Sequence, residues 1–177
     1  MSGGLFTNML LRETGQELSV ERIGRLQRLH AAAYQRYSPQ VRPLPGAQAL
    51  LETLSRAGIP WAIATSGRME TAGPVLARLG VDLARTPVVT RDAVKYAKPE
   101  PDLFLAAADR LGVDIGIASV VGDSVWDMLA ARRARALGIG LLSGGYGLEE
   151  LERAGAYRVY EDPADLLEHL DEVGGRR

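Results

Sequence analysis

Short, continuously apolar runs alternate with amphipathic helical segments along most of the chain after residue 46. Helical spacing of the apolar residues predicts helices at 47–57, 69–79, 101–111, 125–136, 148–153 and 163–173. The apolar runs between them predict strands at Trp61–Thr65, Val88–Val89, Ser119–Gly122 and Ile139–Leu142, and a further short strand near Tyr157–Tyr160. Because buried strands separated by helices are typical of a parallel sheet covered on both faces, we predict an α/β fold.

The first 42 residues show helical periodicity only. A short segment at Leu5–Glu13 precedes Ser19, which we predict as the N-cap of a helix over Val20–Tyr37. The apolar face of that helix comprises Ile23, Leu26, Leu29, Ala33 and Tyr34. A linker rich in helix breakers follows, with Pro39, Pro43, Pro45 and Gly46. We therefore predict a helical region at 1–42 and an α/β core at 43–177.

Composition excludes several classes of protein. The chain has 177 residues and a formal net charge of -1, which gives no electrostatic reason to expect nucleic acid or membrane binding. It has no cysteine, so disulfide scaffolds, thiolate metal sites and cysteine nucleophiles are excluded. We find no signal peptide and no apolar run long enough to span a bilayer, which predicts a cytoplasmic protein.

Two carboxylates follow the predicted strand that ends at Gly122. Asp123 comes directly after the strand and Asp127 follows one helical turn later, so both can face one point above the sheet. Carboxylate oxygens suit Mg2+, which also accepts water and phosphate oxygens as ligands. The alternative is a structural pair, in which one Asp caps the helix and solvent satisfies the other.

Two further features stand at predicted strand ends. Thr65, Ser66 and Gly67 follow an apolar strand and precede a helix, where hydroxyls and backbone amides can hold an anion such as phosphate. An ordinary Ser/Thr N-cap is the alternative. Lys98 lies in Lys-Pro-Glu-Pro-Asp, whose prolines stiffen the backbone around one of only two lysines in the chain. Its alternative is a solvated surface lysine.

In this order and spacing, the motifs resemble those of the haloacid dehalogenase (HAD) superfamily, in the branch of phosphoglycolate phosphatases and β-phosphoglucomutases. The resemblance rests on Thr65, on Lys98 in Lys-Pro-x-Pro-Asp, and on Gly-Asp-Ser-x-x-Asp ending at Asp127. It implies a Mg2+-dependent phosphohydrolase with a Rossmann-like parallel sheet and a partial helical cap at 1–42. The implied substrate is a small phosphate monoester, of the phosphoglycolate or sugar-phosphate class, and a phosphomutase is a further option.

The resemblance also implies a role for each motif residue. Thr65 would bind the transferring phosphoryl group, with Ser66 and Gly67 beside it. Lys98 would pair with the nucleophile and the phosphate. Asp123 would bind Mg2+, and Asp127 would either support the metal or orient Lys98.

One family motif is absent. HAD proteins begin with a strand that ends in Asp-x-Asp-Gly, whose first Asp attacks phosphorus and whose second acts as general acid and base. No Asp-x-Asp occurs in this chain. We therefore expect the family's first strand, which lies between those ending at Thr65 and Gly122, to be missing. The chain is then either an N-terminally truncated, inactive form of the enzyme or a remnant that binds phosphate, Mg2+ or a partner without catalysis.

Other function classes have weaker support. A nucleotide binder could use Gly138-x-Gly140 or the run from Ser143 to Gly147. The first lies late in the chain without the strand, turn and helix that a dinucleotide site needs, and the second indicates a flexible loop at a strand end. A serine hydrolase is disfavoured, because His30 and His169 lie in predicted helices and no Gly-x-Ser-x-Gly occurs. The expected partner is a small phosphorylated metabolite, and the oligomeric state stays open.

Overall fold

The computed structural model of the protein describes residues 13–14 and 19–174. Its helices are α1 (Val20–Tyr37), α2 (Ala47–Arg56), α3 (Met69–Arg78), α4 (Asp102–Leu111), α5 (Val125–Ala134), α6 (Leu148–Ala154) and α7 (Pro163–Glu168). Its strands are β1 (Ile63–Ala64), β2 (Val88–Val89), β3 (Ser119–Gly122), β4 (Leu137–Leu141) and β5 (Ala156–Tyr160). The predicted segment Leu5–Glu13 lies outside the described residues apart from Glu13, and the division into regions 1–42 and 43–177 stays a prediction.

All the strands pair in parallel, which confirms the predicted α/β fold. β1 pairs with β2, and β3, β4 and β5 form a second sheet in that order. No described strand lies between β1 and β3, so each of these two strands has one unpaired edge. That is where the sequence predicted the missing strand.

Helices cover both faces of the three-stranded sheet. On one face, Ile139 and Leu141 of β4 pack with Leu50 of α2 and Leu166 of α7. On the other face, Val120 of β3 contacts a row of small residues on α5, namely Ala130, Ala131 and Ala134. The small side chains let α5 lie close to the strands, which fixes its N-terminus at the end of β3.

Helix α4 connects the two sheets. Phe104 packs in one cluster with Val120 of β3 and with Ala64 of β1. One residue earlier, the fully buried Leu103 packs against Val89 of β2. The two sheets therefore share one core through α4, although no backbone hydrogen bonds join their strands.

Several predicted bounds differ from the structure. The predicted strand Trp61–Thr65 is ordered as a strand only at Ile63–Ala64, because β2 offers it just two residues to pair with. The predicted helix 163–173 ends at Glu168, where His169 leaves the helical conformation and a 3-10 turn follows. Strand β4 begins and ends earlier than predicted, at Leu137–Leu141.

The N-terminal helix has the predicted cap, but its apolar face is not buried. Ser19 accepts a hydrogen bond from the Arg22 amide, as expected of an N-cap. No residue of α1 is buried, and Leu29 on the predicted apolar face is 57% exposed. His30 is exposed as well. In the described part of the chain, no helix is both long and apolar enough to cross a membrane.

Candidate active site

The loop after β1 brings Thr65, Ser66 and Gly67 to the carboxyl end of that strand. The Thr65 amide donates to the Val89 carbonyl at 2.9 Å, which continues the pairing with β2 beyond the strand itself. The Thr65 hydroxyl oxygen accepts a hydrogen bond from the Gly67 amide at 3.0 Å. The Ser66 hydroxyl is buried and has no hydrogen-bond partner among the described residues. The loop therefore carries two hydroxyl groups, and neither of them caps the N-terminus of helix α3.

A carboxylate from another loop caps α3 instead. Arg68 is the N-cap residue, and its side chain makes no capping hydrogen bond. Asp92 accepts a hydrogen bond from the Met69 amide at 3.1 Å and forms an ion pair with Arg68 at 2.9 Å. The alternative that Thr65 or Ser66 is simply the N-cap of α3 is therefore wrong. Asp92 was not expected from the sequence, because its partners lie more than twenty residues away.

Lys98 is held in place by a buried ion pair. Its Nζ lies 2.6 Å from Oδ1 of Asp127, and the two side chains are only 14% and 7% exposed. The same Nζ lies 5.2 Å from the centre of the Phe104 ring, a cation–π distance. Lys98 is therefore not a solvated surface lysine, and its ammonium group has a fixed position at the end of β3.

Asp127 uses both of its carboxylate oxygens. Oδ1 contacts Lys98, and Oδ2 accepts hydrogen bonds from the amide and the hydroxyl of Ser124. The Ser124 oxygen in turn accepts from the Asp127 amide at 3.3 Å, which completes a capping box at the start of α5. Ser124 thus has a positioning role that the sequence analysis missed, although Ser-x-x-Asp before a helix is a recognisable signal for it. Gly122 is required here, because a Cβ atom would overlap the Asp127 side chain.

Asp123 differs from Asp127 in being open to solvent. It is exposed at the end of β3, and its carboxylate makes no hydrogen bond or ion pair with any described residue. Among the described residues, no group of three or more acidic or histidine side chains could hold a metal ion by itself. Mg2+ needs no such group, since it commonly takes one or two carboxylates and fills its other positions with water and phosphate oxygens. The hard, accessible oxygens of Asp123 fit that cation.

The structure brings some of the predicted site residues into direct contact. Asp127 contacts both Lys98 and Ser124, and Asp123 directly precedes Ser124 in the chain. Thr65 is linked to this group through Ala64, which packs against the cluster of Phe104 and Val120. No hydrogen bond joins the side chains of Thr65 and Lys98.

Sequence comparison identifies the family. Residues 7–135 match the model of the haloacid dehalogenase-like hydrolases. The chain belongs to this family. A solved hydrolase of this HAD-like fold, from Pseudomonas syringae, is 56% identical with a TM-score of 0.93, and the match covers 97% of this chain and 78% of that one.

Curated relatives of this HAD protein are phosphatases. The phosphoglycolate phosphatase of Rhodospirillum rubrum is 35% identical over 75% of this chain and 56% of its own length. Hexitol phosphatase A of Escherichia coli is 44% identical over 53% of this chain and 43% of its own length. The chain spans about half the length of the curated relatives it matches. By family resemblance the chain is related to phosphoglycolate phosphatases and β-phosphoglucomutases.

Proposed function

We propose that this chain is the core of a Mg2+-dependent phosphatase that acts on a small phosphate monoester. The observation that carries the proposal is the buried Lys98–Asp127 ion pair, which fixes the Lys98 ammonium group against the first turn of α5, the helix that follows Asp123 in the chain. A fixed positive charge stabilises the negative charge that develops on phosphoryl oxygens in the transition state. The names of the relatives, a phosphoglycolate phosphatase and a hexitol phosphatase, favour the phosphoglycolate or sugar-phosphate class of substrate.

The loop after β1 would bind the phosphoryl group. Because the Thr65 oxygen already accepts a hydrogen bond from the Gly67 amide, its own proton is free to be donated to a phosphate oxygen. The buried Ser66 hydroxyl has no partner among the described residues, and a phosphate oxygen would supply one. A side chain at Gly67 would crowd the Thr65 oxygen, since a Cβ atom would lie 3.3 Å from it.

The two acids would have separate tasks. Asp123 would hold Mg2+, which, when bound, neutralises and orients the phosphate oxygens. Asp127 has both oxygens committed to Lys98 and Ser124, so we propose that it acts chiefly by orienting Lys98 and supports the metal site indirectly. Lys98 would neutralise negative charge on the phosphoryl group.

The nucleophile would come from a strand between β1 and β3. Both strands have an unpaired edge there, and Val121 of β3 is 45% exposed although it lies within a strand. A strand ending in Asp-x-Asp-Gly at this position would bring a carboxylate to the same edge of the sheet as Thr65 and Lys98. The 177-residue chain contains no Asp-x-Asp, so we propose that by itself it has no turnover.

A gain-of-function experiment tests the proposal. We expect the 177-residue chain to hydrolyse p-nitrophenyl phosphate and phosphoglycolate only at background rate with Mg2+. The same chain with an N-terminal strand that carries Asp-x-Asp-Gly should be active and should melt at a higher temperature. An extended control with Asn in place of the first Asp should melt like the active form but be inactive, since loss of a nucleophile typically costs about 10⁴-fold or more in rate.

Matched substitutions in the extended chain test the assigned roles. Lys98→Ala and Asp123→Asn should lower the rate by at least about 100-fold, the usual size of losing one charge-stabilising group. Arg153→Ala, on an exposed helix face, should leave it unchanged. Hydrolysis that is insensitive to substitutions of Thr65, Lys98 and Asp123 would contradict the mechanism. Binding of Mg2+ and phosphate without turnover in the extended chain would favour the non-catalytic remnant.

A further inference from the structure

The loop that follows β4 lies against the main chain of Asp123. A Cβ atom built on Gly144 would overlap the Asp123 carbonyl oxygen and would lie 2.8 Å from the Asp123 carbonyl carbon and from Cγ of its carboxylate. Gly144 is not among the glycines with positive φ, so its backbone conformation is one that other residues also adopt. Glycine is therefore needed at 144 for space, not for backbone freedom.

This contact matters because little else holds the Asp123 carboxylate. Asp127 is fixed by Lys98 and by two hydrogen bonds from Ser124. Asp123 has no side-chain hydrogen bond or ion pair within the described part of the chain. The direction of its carboxylate is then set by its main chain, and Gly144 packs on that main chain.

The loop itself is anchored at both ends. It leaves β4 after the buried Leu141, and a 3-10 turn runs from Leu142 to Gly144. At the far end, the Gly147 amide donates to the Glu150 carboxylate at 2.8 Å, where α6 begins. Leu151 of α6 is fully buried. A loop held in this way cannot move aside without disturbing β4 or α6.

We propose that Gly144 is a positioning residue, which fixes the main chain and carboxylate of Asp123 so that Asp123 can bind a divalent cation. Within the loop from Leu142 to Gly147, the contact with Asp123 is made at Gly144. The inference rests on the proposed role of Asp123 as the metal ligand. It assigns to the loop after β4 a function in metal binding, although that loop contributes no acidic side chain before Glu149.

An NMR titration of the 15N-labelled 177-residue chain with Mn2+ tests the role of Gly144 and does not require an active enzyme. Mn2+ broadens the amide signals of nearby residues, so even weak binding is measurable. For Gly144→Ala we expect Mn2+ affinity to fall by about 10- to 100-fold, as is usual when the support of a metal ligand is disturbed. Gly145→Ala is the matched control, because nothing lies within 4 Å of a Cβ at 145, although its φ of +82° makes it a strained site. It should lower the melting temperature but leave Mn2+ affinity within twofold.

The outcomes separate this inference from the proposed function. If Asp123→Asn binds Mn2+ as tightly as the unmodified chain, the metal assignment itself is wrong. If Asp123→Asn abolishes binding while Gly144→Ala leaves it unchanged, only the role of Gly144 is overturned. Should Gly144→Ala not fold, the unmodified chain still gives a test. At low Mn2+ occupancy, its Gly144 amide should broaden together with those of Asp123 and Ser124, and a sharp Gly144 signal would contradict the proposal.

Discussion

The two sheets of this protein support the candidate site to very different degrees. In the region that we call the phosphate side, residues 61–93, two strands of two residues each carry the loop of Thr65, Ser66 and Gly67. In the metal-side region, residues 119–160, three strands of four or five residues carry Asp123 and Asp127. Among the described strands, β4 of the metal-side region is the one that is paired on both edges. The part of the candidate site around Lys98, Asp123 and Asp127 therefore rests on the larger sheet, whereas Thr65, Ser66 and Gly67 rest on a short sheet with an open edge.

The metal-side and phosphate-side regions also differ in how many large side chains they bury fully. Met128, Ile139 and Leu151 are fully buried in the metal-side region. In the phosphate-side region the fully buried large side chain is Val89, which packs against Leu103 of α4. Stability therefore resides mainly on the metal side, and the phosphate side depends on α4 to hold it in place. This difference can be tested at three points.

The largest effect is expected from breaking the ion pair that anchors the firm half of the site. Asp127→Ala leaves the Lys98 ammonium buried without its partner and also removes the capping box of α5. Loss of one partner from a buried pair typically lowers the free energy of unfolding by about 3 to 5 kcal/mol. Urea denaturation, followed by circular dichroism, measures the change.

An exposed ion pair elsewhere in the chain provides the control. Arg153 and Glu149 are 3.0 Å apart on α6, with side chains that are 81% and 77% exposed. Glu149→Ala should cost less than about 1 kcal/mol, because solvent screens such pairs. The double substitution Lys98→Met with Asp127→Leu should recover much of the stability lost in Asp127→Ala. Equal losses at Asp127 and Glu149 would show that the buried pair does not anchor this half of the site.

An intermediate effect is expected in backbone hydrogen exchange. The amides of β4 are enclosed by β3 and β5, whereas Ile63 and Thr65 bond only to the β2 side, at 3.0 and 2.9 Å. We expect exchange at Ile139 and Leu141 to be at least about tenfold slower than at Ile63 and Thr65, a difference of about 1.4 kcal/mol in opening free energy. Exchange measured by NMR at neutral pH would show this.

The hydrogen-exchange experiment can be repeated after the proposed strand is added. If a strand with Asp-x-Asp-Gly pairs with the open edge of β1, protection at Ile63 and Thr65 should rise much more than protection at Ile139. Equal protection of the two regions before any strand is added would contradict the division described here.

Sequence alone predicts well the features that a local pattern determines. Val88–Val89 and Ser119–Gly122 are strands with the predicted bounds, because a short apolar run between turns leaves little choice of ends. The motif Gly-Asp-Ser-x-x-Asp predicts the position of both acids, since a strand end and one helical turn fix their spacing. Ser19 is the predicted N-cap for the same local reason.

What the sequence could not predict depends on distant partners. Strand β1 is shorter than its apolar run, because its length is set by its pairing with β2. Asp92 caps α3 from a separate loop, and Gly144 packs on Asp123 from the loop after β4. The local sequence pattern around these residues does not indicate their partners. These contacts can therefore be identified only from the three-dimensional structure.

The smallest effect is expected at the outer edge of the metal side, where His169 stacks on Tyr160 of β5 with ring centres 5.8 Å apart. A hydrogen bond to the Asp165 carbonyl raises the pKa of His169 above 6.5, and the Asp165, Glu172 and Glu168 carboxylates add to this. The protonated form is therefore favoured by folding, so the stabilisation is complete below about pH 6.5 and is lost as pH rises through the folded-state pKa. In thermal unfolding between pH 5 and 8, His169→Gln should lower the melting temperature most at the acidic end, while His30→Gln on the exposed α1 controls for loss of a histidine as such. If the loss of melting temperature in His169→Gln instead grows with pH, the charge on His169 does not stabilise the fold. This edge of the sheet would then be held by packing rather than by charge.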